Sequence, residues 1–376
     1  MPKKYEISKE AQVLLKLLRI ALGTEPMASD GRPVEPFPQA IDWREVIRLS
    51  YEQKVPALAV DGLKASGYDP REGKSGRQLE ELNAVLTPWF EDVKNSEESY
   101  AYYLTVLSTL CQIFSANGLK PVILKGYGLS RDYPIPSHRG AGDIDIYLLD
   151  EDGNNGVEKG KQIVRDNLGL EVDEEDNEHH SHFVFKGIDV ELHNELCGYW
   201  LKKELKSAVD AQMCLLLKET EYGQNPYIIP SPTFTVAYLF QHMYSHGCTA
   251  FIPFRQLCDL AVFLKKQHQS IRWDTIREVN SMADISTFAD VTFIVMQKYF
   301  GFSSKEYECT SVSIDNDADN LMVDTCSNKV IKTKLPQVNR FYLKRWHYRF
   351  YYNQHWLPMT IKHSGSYILS RLKKLI

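Results

Sequence analysis

An alternation of acidic and apolar residues, Asp143-Ile144-Asp145-Ile146-Tyr147, constrains this chain more than any other segment. Successive side chains of a β-strand point to opposite faces, so Asp143 and Asp145 share one face while Ile144 and Ile146 share the other. The isoleucines demand burial. The two carboxylates then stand close together at the end of a buried strand, and neighbouring carboxylates resist joint ionisation unless a cation lies between them. A second apolar run, Ile188-Asp189-Val190-Glu191-Leu192-His193, offers Asp189 or Glu191 as a third acid. Three carboxylates form a hard oxygen set that suits Mg²⁺ (or Mn²⁺). The plainer alternative for the aspartates is a solvated strand end.

Other residues gather around this pattern. Pro121-Val122-Ile123-Leu124 predicts a short buried strand that delivers Lys125 and Gly126 to its end. A glycine there lets the backbone approach a phosphate, N–H groups at a following helix start favour anions, and the lysine adds a point charge. A simple strand-to-helix turn with a surface lysine is the competing reading. Arg139, just ahead of the aspartates, either clamps phosphates or pairs permanently with a carboxylate. Histidines 179, 180, 182 and 193 lack the cysteine partners and close paired spacing of a zinc site, and His193 is expected to pack or hydrogen-bond beside the carboxylates. His242 and His246 share a helix face, as do Arg255 and Asp259. These four form either a polar seam between helices or a wall facing the site.

Ordinary composition, 43% hydrophobic and 25% charged, excludes a disordered or fibrous chain. No apolar run approaches the ~18–20 residues needed to span a bilayer. The first residues carry acids and no clean apolar block, so a secretory signal is not expected. Seven scattered cysteines without a Cys-x-x-Cys pair predict reduced thiols, hence a cytoplasmic protein. The net charge of −5 is unevenly spread: from Lys329 to Ile376 there are seven Lys, four Arg and no acid, leaving −16 for the rest. The acidic part holds the candidate site, which fits a centre for cations rather than a nucleic-acid groove, and no stable nucleic-acid partner is expected. The basic tail interleaves aromatics with its charges. It is either a docked amphipathic helix or a peripheral contact with an anionic surface.

Helical spacing predicts helices over 8–22, 42–53, 55–66 and 78–117, the last ending at Asn117-Gly118. Strand, helix turn, strand and helix follow, the last over Asn154–Asn167, then an acidic loop and two strands joined at Lys186-Gly187. From about 231 onward the pattern is almost wholly helical. The expected architecture is α+β: an α/β core with a small mixed sheet, flanked by an N-terminal helical region and a C-terminal helical domain. The expected divisions are 1–95, 96–200 and 201–376, the last including the basic tail.

Taken together, Leu124-Lys125-Gly126, Tyr133-Pro134, Arg139, Asp143-x-Asp145 and Glu191-Leu192-His193 resemble the bacterial nucleotidyltransferase family proteins, an uncharacterised branch of the DNA polymerase β-like nucleotidyltransferase superfamily. His242, His246 and Arg255-x-x-x-Asp259-Leu260-Ala261 extend the likeness, which covers residues 95–265 best. The wider superfamily opens a helix with Gly-Ser or Gly-Gly. Here Lys125-Gly126 stands instead, and seventeen positions separate Gly126 from Asp143. The resemblance implies a Mg²⁺-dependent transfer of NMP from a nucleoside triphosphate to a hydroxyl of a small-molecule or protein acceptor. It places Asp143, Asp145 and Glu191 as catalytic metal ligands, and Lys125, Gly126 and Arg139 at the triphosphate. The alternative is a non-catalytic nucleotide-binding or assembly protein on the same fold, one possibility being a role in surface polysaccharide synthesis.

Overall fold

Both faces of the sheet are covered, and this is why its inner strand Ile144–Leu149 is buried along its whole length. The computed structural model describes residues 7–326 apart from 141, 175–179, 199–200, 202, 221–225, 250 and 303–314. The basic tail from Lys329 and His179 therefore lie outside the described residues. Five strands, β1 (Lys120–Ile123), β2 (Ile144–Leu149), β3 (Asp173–Glu174), β4 (His180–Phe185) and β5 (Ile188–His193), assemble in the order β1-β2-β5-β4-β3. β2 and β5 run parallel, and the other pairs are antiparallel. A parallel pair needs a crossover; here the intervening chain includes β3, β4 and the helix Val157–Leu168.

Local chemistry fixes the register. Lys186 and Gly187 both have positive φ, 51° and 78°, as a two-residue hairpin turn of the primed type requires. That turn sets Phe185 opposite Ile188 and so His182 opposite Glu191 and His180 opposite His193. On the other side of β5, Asp145 stands opposite Glu191. The free edge of β1 is satisfied by Ile228, which donates to the Pro121 carbonyl at 2.7 Å and accepts from the Ile123 N–H at 2.9 Å.

Four helices precede the sheet: α1 (Lys9–Leu22), α2 (Trp43–Glu52), α3 (Pro56–Ala65) and α4 (Gly76–Ala116). Each of the first three starts on a clear signal. Ser8 and Asp42 accept hydrogen bonds from first-turn N–H groups of α1 and α2, and Pro56 opens α3. α1 and α3 touch at Gly62, where a Cβ would lie 1.9 Å from the Leu17 carbonyl oxygen. α4 is 41 residues long and runs unbroken past residue 95. A single turn, α5 (Tyr127–Ser130), and α6 (Val157–Leu168) lie within the core. The rest is α7 (Lys203–Lys218), α8 (Pro232–Thr249), α9 (Phe254–Gln267), α10 (Trp273–Met282), α11 (Ser286–Phe300) and α12 (Asp315–Cys326).

Two apolar cores sandwich the sheet. Ile144, Ile146 and Leu148 of β2 pack with Val190 and Leu192 of β5, α6, and the later half of α4 through Leu107, Leu110 and Phe114. Tyr147 and Leu149 face the opposite core, which joins α1–α3, the first half of α4 through Leu86 and Trp89, and α7–α12. By strand alternation Asp145 faces this second, helical side. The fold is α+β, as the sequence pattern predicts. Three details differ. Asp143 precedes β2 rather than belonging to it, Lys203–Lys218 is a helix that the periodicity did not single out, and Asp173–Glu174 pairs with β4 where an acidic loop is expected. No helix among the described residues is long and apolar enough to cross a membrane.

Candidate functional site

Asp145 and Glu191 are brought together by the register of the two central parallel strands. Glu191 shares its strand face with His193, and single oxygen or nitrogen atoms of Asp145, Glu191 and His193 all lie within 4.8 Å of one another. The two aspartates differ sharply in environment. The Asp145 side chain is 0% exposed and that of Asp143 33%, so Asp145 is the floor of the site and Asp143 its mouth. Asp145 Oδ1 meets Lys125 Nζ at 2.9 Å and His193 Nε2 at 3.0 Å. Its other oxygen, Oδ2, is buried and has no hydrogen-bond partner among the described residues. A buried carboxylate oxygen left bare is costly, so this atom is a natural ligand position for a cation.

The electrostatics follow from this crowding. Burial alone lowers the pKa of Lys125, but Asp145, Asp143 and Glu191 together raise it, so the ammonium stays charged. Burial pushes the Glu191 carboxyl up; His193, 3.7 Å away, and the charge of Lys125 outweigh it and hold the pKa at about 2. Glu191 is thus an anion throughout the physiological range, suited to binding a cation and unsuited to shuttling protons. His193 has its pKa raised despite burial, because it bonds to Asp145 and lies 3.7 Å from the Glu191 carboxylate.

Gly126 ends the loop after β1 with φ 65° and ψ −110°, a conformation open to glycine, and a Cβ there would meet Tyr103 Oη at 2.9 Å. This fixes the backbone from which Lys125 reaches both aspartates, with Asp143 Oδ2 at 3.5 Å. Asp189 is drawn away from the centre: its carboxylate, 68% exposed, takes His182 Nε2 at 2.9 Å. His180 lies closer in, 3.8 Å from Glu191.

The helical side supplies a wall. His193, Tyr238, His242 and His246 form a chain of ring contacts with centroid separations of 6.4, 5.9 and 4.6 Å. Burial, then the nearby Lys125, lowers the His246 pKa to about 4, so this end of α8 is uncharged at neutral pH.

The residues alone leave Arg139 between a phosphate clamp and a permanent carboxylate partner, and the resemblance implies the triphosphate; in the structure its side chain is paired with a carboxylate. Its Nε and Nη2 donate to Asp259 at 2.7 and 2.8 Å, Tyr133 Oη donates to the same carboxylate at 2.8 Å, and all are buried. Nη1 turns to the carbonyl of Gly140, 3.4 Å away. A fork closed on a buried carboxylate is not available to clamp a phosphate. Asp259 accordingly serves Arg139 and Tyr133, while Arg255 of the same helix is left over. Its Nε has no hydrogen-bond partner among the described residues. Arg255 is one of the four residues that the sequence offers as a seam or a wall, whereas Lys54, in the α2–α3 turn, is a residue that the sequence did not single out.

With this geometry the site defines a class: carboxylates on adjacent parallel strands of a small mixed sheet, with a lysine between them. Residues 39–301 match the family described as uncharacterised nucleotidyltransferase, and the chain belongs to that family. No match to it was found among the curated proteins or among solved structures.

Proposed function

We propose that the chain is a Mg²⁺-dependent nucleotidyltransferase (Mn²⁺ serving in its place) that moves NMP from a nucleoside triphosphate to a hydroxyl of a small-molecule or protein acceptor. The observation that carries this reading is the Asp145–Glu191 pair in register across β2 and β5, with Asp143 at its mouth. The residues fit a divalent cation. The donors are hard carboxylate oxygens, one of them the bare Asp145 Oδ2, and Glu191 is held ionised. Asp143, Asp145 and Glu191 would hold the ion, which when bound neutralises phosphate charge and lowers the pKa of an acceptor hydroxyl. His193 orients Asp145 and Glu191. Lys125, beside Gly126, neutralises the aspartates and supplies a donor for an incoming phosphate oxygen. The mixed sheet carrying these acids supports placing the family in the DNA polymerase β-like superfamily, and the scattered cysteines support a cytoplasmic site of action.

A test needs no knowledge of the acceptor. Titration calorimetry of the full chain with ATP and the other triphosphates should show binding that requires Mg²⁺ or Mn²⁺ and disappears in Asp143→Asn. Equal affinity in the presence of EDTA would sink the metal-dependent reading. One observation favours a second reading, a non-catalytic nucleotide binder: Lys125 already occupies the space between the aspartates. In that case Lys125→Ala would create metal binding where the parent has none, whereas a functional centre binds metal with Lys125 in place.

A further inference from the structure

We propose that Lys54 and Arg255 form a receiving site for the polyphosphate of a nucleotide, on the helical side of the carboxylates. The proposal rests on the nucleotide-transfer reading and names side chains from outside the sheet as the anion-binding half of the same centre.

The placement of Lys54 is built rather than incidental. It lies in the turn between α2 and α3 with φ 58°, a left-handed conformation that glycine or asparagine adopts far more readily than lysine. The turn is closed by Lys54 N donating to the Tyr51 carbonyl at 3.0 Å and Val55 N donating to the Ser50 carbonyl at 2.8 Å. The preceding residue, Gln53, is bolted to the start of α9. Its side-chain oxygen accepts from the Phe254 N–H at 3.0 Å, and its backbone carbonyl accepts from the Arg255 N–H at 3.2 Å. A strained lysine is therefore fixed one residue from the helix turn that carries Arg255. The left-handed residue is the stop of α2, a position that glycine usually fills and that here carries a lysine.

The Arg255 side chain reaches the loop before the aspartates. Its Nη1 lies 3.8 Å from where a Cβ on Gly142 would stand, so the guanidinium rests against the residue before Asp143. The carboxylate of its own helix, Asp259, is taken up by Arg139 and Tyr133. Burial and then Arg139 lower the pKa of Arg255, and burial and then Arg255 lower that of Lys54, while Asp143 opposes both effects. Two cations that repel each other at the mouth of the site gain from an arriving anion. Neighbouring His246 is neutral, so Lys54 and Arg255 carry the charge of this wall together with Lys125.

Polyphosphate is the anion that the chemistry calls for. The acceptor oxygen forms a bond to the α-phosphorus, the bond from that phosphorus to the bridging oxygen breaks, and pyrophosphate leaves with the electron pair. The hydroxyl proton passes to water. Negative charge thus grows on the departing group, where a guanidinium fork and an ammonium stabilise it most. Arg255 would do what the family resemblance implies for Arg139.

The test is pyrophosphate binding by calorimetry in the full chain, with and without Mg²⁺, and its competition with ATP. Lys54→Gly removes the charge and relieves the left-handed strain, so its melting temperature should equal or exceed the parent's while pyrophosphate affinity falls about tenfold or more. Arg255→Lys should lose part of that affinity and Arg255→Gln most of it. If pyrophosphate affinity falls in Lys54→Gly although ATP binding needs no metal, this site stands and the nucleotidyltransferase reading fails. Parent-like pyrophosphate affinity in Lys54→Gly, no pyrophosphate binding by the parent, or binding that does not compete with ATP would each overturn the proposal.

Discussion

Arg139 and Asp259 are joined by two parallel hydrogen bonds, at 2.7 and 2.8 Å, in the interior between the 3₁₀ turn ahead of the aspartates and helix α9. The pair ties the loop that carries Asp143 to the helix that carries Arg255. Removing one partner strands a buried charge. Asp259→Ala should therefore destabilise the fold by roughly 3–5 kcal/mol, and replacing both residues by apolar ones of similar size should cost less than Asp259→Ala alone. Urea denaturation of the single and double variants checks this; a double variant destabilised as much as Asp259→Ala, or more, would refute it.

Asp143 and Asp145 should separate function from stability. The half-exposed Asp143 is replaceable: Asp143→Asn should change stability by no more than about 0.5 kcal/mol while abolishing metal-dependent ATP binding. Asp145→Asn leaves the buried Lys125 and His193 facing a neutral amide, and a cost of about 3–5 kcal/mol is expected. Thermal melts beside calorimetry decide it, and the idea fails if the two variants melt together.

Glu191 should matter and Asp189 should not. Glu191→Gln is expected to reduce nucleotide transfer by about a hundredfold or more, whereas Asp189→Asn, which loses a solvent-facing contact to His182, should stay within a factor of a few. The reverse ranking in a transfer or triphosphate-hydrolysis assay would mean that the register of β5 is wrong.

His138 gives a pH prediction away from the carboxylates. Its Nδ1 lies 2.7 Å from Asp61 and its Nε2 2.9 Å from Glu97, linking α3 and α4. The bond to Asp61 raises its pKa, burial opposes, and the bond to Glu97 raises it further. A histidine whose folded pKa is raised stabilises the fold fully below its unfolded value, about 6.5, and loses that contribution as pH climbs through the folded value. The melting-temperature advantage of the parent over His138→Gln should accordingly shrink as pH rises from 5.5 to 9. An advantage that is constant or grows would contradict the imidazolium clamp.

Sequence alone makes some of these relationships legible and hides others for physical reasons. Period-two alternation exposes Asp145 and Glu191, because a strand's faces are encoded in adjacent residues. Lys186-Gly187 marks the hairpin, because few residues tolerate two positive φ angles in a row. The Arg139–Asp259 pair leaves no such trace: the two are 120 positions apart, and Asp259 sits at equally plausible helical spacing from Arg255. Lys54 is hidden more deeply, since nothing local distinguishes a lysine in a helix-linking turn from any surface lysine. β3 escapes notice because Asp173 and Glu174 have poor strand propensity and are held by their pairing with His182 and Ser181.

Gln53 joins three parts of the chain that are far apart in sequence. Its one buried side chain accepts from Phe254, 201 positions later, and donates to the Thr325 carbonyl, 272 positions later. Chains emerge and fold from the N-terminus first. The strands bearing Asp145 and Glu191 are therefore complete long before the turn holding Lys54 acquires its anchors. In a growing chain the residues that bear the acids are made well before Phe254 and Thr325, which anchor Gln53 beside Lys54. The carboxylates and the Lys54 turn thus depend on segments of the chain that are made at different times.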